Sequence, residues 1–244
     1  MEAIILAGGR GERLGDAAAG RPKPLVEVAG RSLISYQVRI LARAGVERVV
    51  VSCSAGAELL FEAELSDLGP EIVCAPEPRP LGRGGGLRYA TGYLAGDGPV
   101  YALNGDELMD IDLEALLRVH TDHAAAATIT VARMPAAFGV VELTDDGHVS
   151  SFKEAPFLPH WVNSGIYVLG PEAVARLPHE GDHETSTFPE LASEGKLLAY
   201  RHPGVWLTVN TPKELRKADE FLREGSNQFF SSLAAGGTAR EEKN

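Results

Sequence analysis

The first half of the chain alternates short β-rich runs with helical stretches, and this alternation constrains the fold most strongly. The strand-like runs cover residues 2–7, 48–53, 71–75 and 100–104. The helical stretches between them cover residues 32–44, 57–65 and 84–94. Strand, helix and strand at this spacing predict a parallel sheet with crossover helices. Since ligands bind at the carboxyl ends of the strands in such sheets, the residues that follow each strand are candidates for a functional site.

The second half is less regular and favours antiparallel strands. The candidate strands cover residues 128–132, 139–143, 148–152 and 162–169. A turn at Asp145-Asp146-Gly147 would join the second and third of them. A helix is predicted over residues 211–224, because Thr211 can cap its start and Pro212 suits its first position.

Charge and composition exclude several classes of protein. A net charge of −11 without a basic stripe argues against binding to nucleic acid or to an anionic membrane surface. No run approaches the roughly 20 apolar residues that a membrane span needs, and the apolar start of the chain lacks the basic region of a signal peptide. Cys53 and Cys74 lie in strand-like runs without metal-binding spacing. We therefore expect a cytoplasmic protein with two reduced cysteines.

The strongest local signal is a glycine loop that directly follows the first strand. Its residues are Leu6, Ala7, Gly8, Gly9 and Gly11. Glycine lets the backbone approach a ligand closely, and successive free N–H groups form a concavity that binds anions. Arg13 and Lys23 would add full charges where triphosphate oxygens collect, and the prolines on both sides of Lys23 stiffen its backbone. The pattern matches neither the usual phosphate loop nor the dinucleotide fingerprint.

Residues 6–25 resemble the signature of the sugar-phosphate nucleotidyltransferases. That signature reads leucine-alanine-glycine-glycine-x-glycine-x-arginine-leucine, followed by proline-lysine-proline-leucine. The resemblance continues at intervals to about residue 215 and is nearest to the guanylyltransferases of mannose and heptose 1-phosphates. It implies that the glycines contact base and phosphates, that Arg13 binds the triphosphate, and that Lys23 lies at the reacting phosphates.

The resemblance also implies the architecture. We expect an α/β fold with a doubly wound, Rossmann-like mixed sheet, mostly parallel, and a small antiparallel portion that binds the sugar. One nucleotidyltransferase domain should cover residues 1–225, with a flexible tail over residues 226–244. A homodimer is a further expectation from the family.

A metal site is predicted after the strand at residues 100–104, where Asn104, Gly105, Asp106 and Glu107 follow one another. A carboxylate beside a phosphate loop suits Mg²⁺, which binds oxygen ligands and substrate phosphates. The resemblance implies that Asp106 holds a catalytic Mg²⁺, and we assign Asn104 and Gly105 to the sugar-phosphate side. Glu107, Asp110 and Asp112 are expected to be turn and helix-cap residues.

The second metal ligand departs from the family pattern. The family has tryptophan-x-aspartate-x-glycine-threonine-proline near its end, and Thr208 stands here in place of the aspartate. A hydroxyl is a much weaker Mg²⁺ ligand than a carboxylate. Either Asn210 supplies the second ligand, or the site has lost a charge and the protein binds without turnover. We predict that Asn210 is the ligand.

The sugar side resembles the family in part. Glu154 and Asn163 match an acid and an amide that bind sugar hydroxyls, and Gly139 is assigned to the same set. Carboxylates and amides together supply the acceptors and donors that vicinal hydroxyls need. Ala155 replaces the family lysine that contacts the sugar phosphate, and the neighbouring Lys153 could substitute for it only if the strand bulges or ends there.

The nucleoside side includes the glycine-rich run at residues 81–87, which resembles a family loop that lies against the nucleoside. Gly82 and Arg83 are therefore assigned to the nucleotide. Arg83 replaces a threonine, and it either adds a phosphate contact or is a surface substitution. Glu77 falls where the family reads the base edge. An ionised carboxylate only accepts hydrogen bonds, and guanine offers two adjacent donors, so Glu77 favours GTP.

The sequence thus predicts an enzyme that condenses GTP with a sugar 1-phosphate and releases pyrophosphate by Mg²⁺-assisted in-line displacement. Arg13, Lys23 and Asp106 are the predicted catalytic residues. One alternative keeps the chemistry but uses UTP, dTTP or CTP, with glucose 1-phosphate, a cyclitol phosphate or a phosphoalcohol. Another is a regulatory subunit that binds a nucleotide sugar without turnover, which Ala155 and Thr208 motivate.

Overall fold

The structure is a computed structural model that describes residues 1–9, 11, 14–15 and 20–234. Within these ranges the strands are β1 (Glu2–Leu6), β2 (Glu27–Val28), β3 (Arg31–Ser32), β4 (Arg48–Ser54), β5 (Glu71–Glu77), β6 (Val100–Asn104), β7 (Glu107–Met109), β8 (Ala127–Pro135), β9 (Val140–Leu143), β10 (Val149–Lys153), β11 (Phe157–Leu169), β12 (Leu197–Arg201) and β13 (Trp206–Thr208). The helices are α1 (Leu33–Arg43), α2 (Glu58–Leu65), α3 (Gly82–Thr91), α4 (Leu113–Asp122), α5 (Pro171–Ala175), α6 (Thr187–Ser193), α7 (Pro212–Glu224) and α8 (Gln228–Ala234). A short 3₁₀ helix covers Lys23–Leu25.

The central element is a seven-stranded mixed sheet with the order β12-β8-β11-β6-β1-β4-β5. β1 pairs in parallel with β4 and β6, and β4 pairs in parallel with β5. β11 runs antiparallel between β6 and β8, and β12 is parallel to β8. Four of these six pairings are parallel, so the predicted mixed and mostly parallel sheet is confirmed.

Helices cover both faces of this sheet because its strands are apolar on both sides. In β1, Ala3 and Ile5 face one buried cluster, whereas Ile4 faces the other. The first cluster includes side chains of α1, α2, α4, α7 and α8, and the second includes side chains of α3, α5 and α6. The sheet is thus doubly wound as predicted, and the carboxyl ends of β1, β4, β5 and β6 lie at one edge.

The range predicted to be a flexible tail is partly ordered. Gln228–Ala234 forms helix α8, and its Phe230 is 3% exposed. The ring of Phe230 packs edge-on against Tyr36 of α1 with 6.4 Å between the ring centroids. Arg43 of α1 lies over the ring of Phe229 and donates a hydrogen bond to Ser232. Aromatic packing therefore corrects the tail prediction for this helix, while residues 235–244 lie outside the described residues.

The strands β9 and β10 form a hairpin outside the central sheet. Nearly every residue of the two strands is exposed to solvent. Elsewhere, no helix within the described ranges combines the length and the apolar character that crossing a bilayer would require.

Candidate active site

A cavity of about 810 Å³ opens at the carboxyl ends of the parallel strands. Most of the predicted catalytic, nucleotide and metal residues line it: Leu6, Gly8, Gly9, Lys23, Glu77, Gly82, Arg83, Asp106 and Asn210. Two of the predicted sugar-phosphate residues, Asn104 and Gly105, line it as well. Ala7 is buried beneath the loop, and its N–H donates to the carbonyl of Ser52. Arg13, which is predicted to bind the triphosphate, lies outside the described residues.

Lys23 is the central cation of the cavity. It opens the 3₁₀ turn between Pro22 and Pro24 and is 9% exposed. Its Nζ donates a hydrogen bond to Asn210 Oδ1 (2.7 Å) and forms an ion pair with Asp106. The 3₁₀ turn thereby directs a buried ammonium group to the two predicted metal ligands.

The glycine loop packs on the stem of this lysine. Gly11 has a φ of +65°, and a Cβ built there would lie 3.2 Å from Lys23 Cβ. Both the backbone conformation and the space favour glycine at this position. Gly11 thus supports Lys23, while Gly8 and Gly9 line the cavity itself.

Asp106 is placed by a close approach of β6 to β1. The N–H of Gly105 donates to the carbonyl of Leu6 (3.0 Å), and a Cβ on Gly105 would lie 2.4 Å from that oxygen. The carbonyl of Asn104 accepts a hydrogen bond from the buried side chain of Gln37 (2.7 Å). These contacts fix the chain on both sides of the turn, so that Asp106 faces the cavity.

Asn210 reaches the same point through the pairing of β7 with β13. Thr208 lies opposite Glu107 in this ladder, and the N–H of Val209 donates to the carbonyl of Asp106 (3.1 Å). The backbone N–H of Asn210 is held by Glu214 Oε2 at the start of α7 (2.7 Å). Asn210 therefore lines the cavity, and Thr208 does not.

The residues present fit a Mg²⁺ ion. Asp106 and Asn210 offer a carboxylate and an amide oxygen, and both already converge on one cation, the ammonium of Lys23. Within the described part of the chain, no group of three or more His, Cys, Asp or Glu side chains could hold a metal. Mg²⁺ does not require such a cluster, because it takes one or two protein carboxylates and completes its shell with phosphates and water.

Glu107 is not the turn residue that the sequence predicts. It lies in β7, is 8% exposed and accepts a hydrogen bond from Trp206 Nε1 (2.7 Å). Burial, aided by the charge of Asp106, raises the pKa of Glu107 to about 8. Asp112 does cap a helix as predicted, because its side chain accepts from the N–H of Ala115 at the start of α4.

Glu77 is held rigidly at the end of β5. Its Oε1 accepts from the hydroxyl of Ser52 (2.8 Å), and its Oε2 accepts from the N–H of Leu81 (3.0 Å). Cβ atoms on Gly8 and Gly86 would lie 3.1 and 2.8 Å from Oε1. Two glycines therefore leave room for this carboxylate, which lines the cavity as predicted.

Arg83 lines the cavity but is already paired. Its Nε donates to Asp182 Oδ2 (2.8 Å), and its Nη2 lies 2.8 Å from Glu184 Oε2. The other oxygen of Glu184 accepts from Asn163 Nδ2 (2.9 Å) and from the hydroxyl of Tyr167 (3.1 Å). Because two carboxylates balance the guanidinium, the structure favours a structural ion pair over the phosphate contact.

Glycines at the start of α3 also pack closely on protein, while Gly82 lines the cavity as well. A Cβ on Gly82 would lie 2.6 Å from the carbonyl oxygen of Gly181, and one on Gly84 would lie 2.7 Å from the backbone nitrogen of His183. The carbonyl of Gly181 also accepts from the N–H groups of Gly84 and Gly85. The glycines therefore let the segment 178–183 pack tightly on the start of the helix.

Of the residues predicted on the sugar-phosphate side, Asn104 and Gly105 line the cavity, whereas the other three do not. Gly139, Glu154 and Asn163 are absent from its lining. Glu154 is exposed beside the β9–β10 hairpin, and both amide hydrogens of Asn163 are used by Glu184 and Tyr167. Lys153 pairs with Glu142 at 3.9 Å on the hairpin, so it does not take the place of the lysine missing at position 155. The sugar assignments stay predictions.

Several residues that line the cavity were not predicted from the sequence. They are Ser54, Ala55, Pro78, Arg79, Pro80 and Glu107. All but Glu107 directly follow β4 or β5 or end β4. Ligands generally bind at the carboxyl ends of strands, so the ends of β4 and β5 were the signal for all of these residues except Glu107.

Comparisons with known proteins identify similar sequences and a similar solved structure. A family model described as nucleotidyl transferase matches residues 2–225. A rice protein (Oryza sativa subsp. japonica) named "Probable mannose-1-phosphate guanylyltransferase 2" is 36% identical over 249 residues, covering 96% of this chain and 69% of that protein. The Drosophila melanogaster "Mannose-1-phosphate guanylyltransferase catalytic subunit beta" is 33% identical, covering 87% of this chain and 60% of that protein.

A solved structure supports the fold. HddC from Yersinia pseudotuberculosis, complexed with GMP-PN, superposes with a TM-score of 0.69 at 24% identity, covering 90% of this chain and 98% of that one. The chain spans between 60% and 69% of the length of the two curated relatives above.

Proposed function

Because this chain belongs to the nucleotidyl transferase family, we propose that its cavity condenses GTP with a sugar 1-phosphate. The family prediction from residues 6–25 is thereby confirmed. The observation that carries the proposal is the convergence of Lys23, Asp106 and Asn210 beside a glycine loop at the strand ends. A buried cation and two hard oxygen ligands at this point suit a triphosphate and its metal ion.

The reaction is an in-line displacement at phosphorus. An oxygen of the sugar 1-phosphate attacks the α-phosphorus of the triphosphate, a new P–O bond forms, and the bond to the bridging oxygen of the β-phosphate breaks. Pyrophosphate leaves with the electron pair of that bond, so no protein nucleophile is needed. The protein contributes position and charge.

The described residues have distinct parts in this proposal. Lys23 places its ammonium at the reacting phosphates and stabilises the charge that develops on them. Asp106 and Asn210 would hold a Mg²⁺ ion, which when bound neutralises triphosphate oxygens. The role of Arg13 at the leaving pyrophosphate stays a prediction, as does the cytoplasmic location.

The preference for GTP rests on Glu77 and on the relatives. A carboxylate fixed by Ser52 and Leu81 keeps lone pairs for the two adjacent donors of guanine. The two curated relatives are both named guanylyltransferases of mannose 1-phosphate, which supports the same base and suggests mannose 1-phosphate as the first sugar to test. No observation favours UTP, dTTP or CTP over this assignment.

Pyrophosphate release tests the proposal directly. The purified chain would be incubated with Mg²⁺, each of GTP, UTP, dTTP, CTP and ATP, and a panel of sugar 1-phosphates. We expect release that requires GTP and one sugar 1-phosphate. Silence across the panel, with calorimetry still detecting a bound nucleotide sugar, would instead support the non-catalytic regulatory subunit.

A further inference from the structure

Glu184 links two parts of the chain that meet beside the cavity. Its Oε2 lies 2.8 Å from Nη2 of Arg83, which lines the cavity at the start of α3. Its Oε1 accepts hydrogen bonds from Asn163 Nδ2 (2.9 Å) and from the hydroxyl of Tyr167 (3.1 Å), both in β11. One carboxylate therefore contacts the start of α3 through one oxygen and β11 through the other.

The side chain of Asn163 is oriented by these contacts. Its Nδ2 also donates to the hydroxyl of Tyr167 (3.0 Å), and its Oδ1 accepts from the backbone N–H of Gly165 (3.2 Å). A carboxylate accepts hydrogen bonds and cannot donate them, so Glu184 requires the amide nitrogen of Asn163 to face it. The amide oxygen is thereby turned towards Gly165.

Gly165 connects the orientation of Asn163 with the cavity. It lies in the irregular part of β11 between residues 163 and 167 and has a φ of +79°. A Cβ at this position would lie 2.8 Å from Asn104 Nδ2 and 2.9 Å from Glu107 Cγ, and both of these residues line the cavity. Glycine suits both the backbone conformation and the close approach. A shift of Gly165 would therefore displace side chains that border the cavity.

The order of the strands assigns this part of the cavity to the acceptor substrate. In the order β11-β6-β1-β4-β5, the glycine loop follows β1 and Glu77 ends β5. In the proposed reaction the nucleotide therefore occupies the side of β1, β4 and β5. The sugar 1-phosphate has to approach the α-phosphorus from the opposite side. That side is formed by β6 and β11, where Asn104 and Gly165 lie.

We propose that Glu184 is a positioning residue for the sugar 1-phosphate. Its carboxylate fixes Asn163, Asn163 fixes the N–H of Gly165, and Gly165 supports Asn104 at the border of the cavity. This inference rests on the proposed function, because it concerns the acceptor substrate of that reaction. Binding residues keep a productive geometry only when neighbouring groups hold them in place, and Glu184 is such a group.

The backbone around Glu184 is fixed independently of its side chain. Its N–H donates to Asp182 Oδ1 (2.9 Å), and the N–H of Gly84 in α3 donates to the carbonyl of Gly181 (2.9 Å). Substitution of Glu184 should thus leave the segment 178–184 in place and change mainly the contacts of the lost carboxylate.

Steady-state pyrophosphate release, with each substrate varied in turn, tests the proposal. We expect Glu184→Ala to raise the KM for the sugar 1-phosphate at least about 10-fold, as is typical when a group that orients a binding residue is lost. The KM for GTP and kcat should stay within about 3-fold of wild type, because the loss concerns binding of one substrate. Glu184→Met, which keeps the length of the side chain, replaces Glu184→Ala if that variant does not fold, with the same expectation.

The conservative variant separates hydrogen bonding from charge. Glu184→Gln keeps an oxygen that can accept from Asn163 and Tyr167, so it should restore the KM for the sugar 1-phosphate to within about 3-fold of wild type. A Glu184→Gln enzyme with the same high KM as Glu184→Ala would attribute the effect to the charge beside Arg83. That result would reject the positioning role.

Glu180→Ala is the matched control. Glu180 belongs to the same segment, and its carboxylate pairs with Arg79, another arginine that lines the cavity. We expect this variant to keep the wild-type KM for the sugar 1-phosphate, because its carboxylate contacts Arg79 instead of β11. If it raised that KM as much as Glu184→Ala does, loss of negative charge near the cavity would explain both variants and the proposal would fall.

A double variant tests whether Glu184 acts through Asn163. Asn163→Ala alone should raise the KM for the sugar 1-phosphate, and adding Glu184→Ala to it should raise that KM no further. Residues that act through one contact are non-additive in this way. Two effects that multiply in full would show that Glu184 acts independently of Asn163, contrary to the proposal.

Hydrogen exchange provides a readout that does not depend on activity. The N–H of Gly165 should exchange at least about 10-fold faster in Glu184→Ala than in wild type, because Asn163 no longer holds it. It should exchange at the wild-type rate in Glu180→Ala. An active wild type combined with an unchanged sugar KM and unchanged exchange in Glu184→Ala would overturn the positioning role alone. A wild type that releases no pyrophosphate with any substrate pair would overturn the proposed function and the positioning role with it.

Discussion

At the scale of single residues, Lys23 joins three distant parts of the chain at one point. It is separated by 83 residues from Asp106 and by 187 from Asn210, yet its ammonium contacts both side chains. A buried cation needs such partners, since an unpaired charge in the interior is strongly unfavourable. In the proposed reaction, phosphate oxygens would replace these protein partners of the ammonium.

Replacing Lys23 should therefore affect turnover far more than folding. We expect Lys23→Ala to lower kcat by roughly 100-fold or more, the range seen when one preorganised donor to a transition state is removed. Lys217→Ala, on the exposed face of α7, is the control and should retain wild-type kcat. Steady-state pyrophosphate release measures both. A Lys23→Ala enzyme with wild-type kcat would end the assignment of Lys23.

Asn210 offers a test of the metal site. Asn210→Ala should raise the Mg²⁺ concentration for half-maximal activity by at least about 10-fold, because an oxygen ligand is lost. Asn210→Asp should lower that concentration, since a carboxylate binds Mg²⁺ more strongly than an amide. Thr208→Val is the control and should change little, because Thr208 does not line the cavity. If Thr208→Val behaves like Asn210→Ala, the second ligand has been misassigned.

At the scale of elements, the start of α3 shows which contacts stabilise a glycine-rich helix. Glycine costs about 1 kcal/mol relative to alanine in a helix interior. The structure offsets this cost with contacts that a side chain would block, above all those of Gly84 with Pro178 and His183. The helix and the segment 178–183 are thus shaped for each other.

Substitution at Gly84 should reverse the usual preference for alanine. A Cβ there would lie 2.7 Å from both the nitrogen of His183 and a ring carbon of Pro178. We expect Gly84→Ala to destabilise the fold by about 1–3 kcal/mol through overpacking. Gly92→Ala, at the end of the same helix, meets only one carbonyl oxygen at 3.4 Å and should be close to neutral. The free energies of unfolding of the two variants in urea distinguish overpacking from helix propensity. Equal free energies would contradict the explanation by packing.

Local elements were predictable from the sequence wherever local chemistry specifies them. The predicted strand at residues 100–104 coincides with β6, and α7 begins behind Thr211 with the predicted cap and proline. The sequence does not specify contacts that depend on distant residues. The partners of Arg83 are Asp182 and Glu184, about 100 residues away, and no local pattern announces them.

Some residues of the candidate site were also predictable from the sequence, whereas others were not. The family motif indicated Lys23 and Asp106, and Asn210 was predicted where the chain departs from that motif. The structure brings the three side chains together. Glu107 was missed because a polar turn sequence conceals a short buried strand that pairs with β13. Phe229 and Phe230 fall in the range predicted to be a flexible tail, because the helix on which they pack, α1, is remote in sequence.

At the scale of the whole molecule, one face of the central sheet buries a titratable group among aromatic rings. On the face of α3 and α6, His183 is 0% exposed and packs edge-on against the rings of Tyr167 and Phe188. Both of its ring nitrogens lack a hydrogen-bond partner. A neutral imidazole tolerates this setting better than a charged one, so burial lowers the pKa of His183 to about 4 despite the opposing effect of Asp182.

This histidine should make the stability of the fold depend on pH. In the unfolded chain its pKa returns to about 6.5, so between pH 6.5 and 4 the unfolded state binds a proton that the folded state excludes. The contribution of His183 to the free energy of unfolding is therefore fully present above about pH 6.5. It falls by up to about 3 kcal/mol as the pH drops towards 4. The neighbouring Arg83 acts in the same direction as burial, and Asp182 opposes both.

His183→Phe should remove this dependence while keeping an aromatic ring against Tyr167 and Phe188. We expect the free energy of unfolding in urea to fall by about 2–3 kcal/mol more for wild type than for the variant between pH 7 and pH 4.5. The difference between the two proteins isolates His183 from the other buried histidines, His120 and His202. Burial also lowers the pKa of His120. At pH 7 the variant should be at least as stable as wild type, because two buried nitrogens without partners are lost. Parallel pH profiles for the two proteins would show that His183 takes up its proton in the folded state, and that the layer between α3 and the sheet admits water.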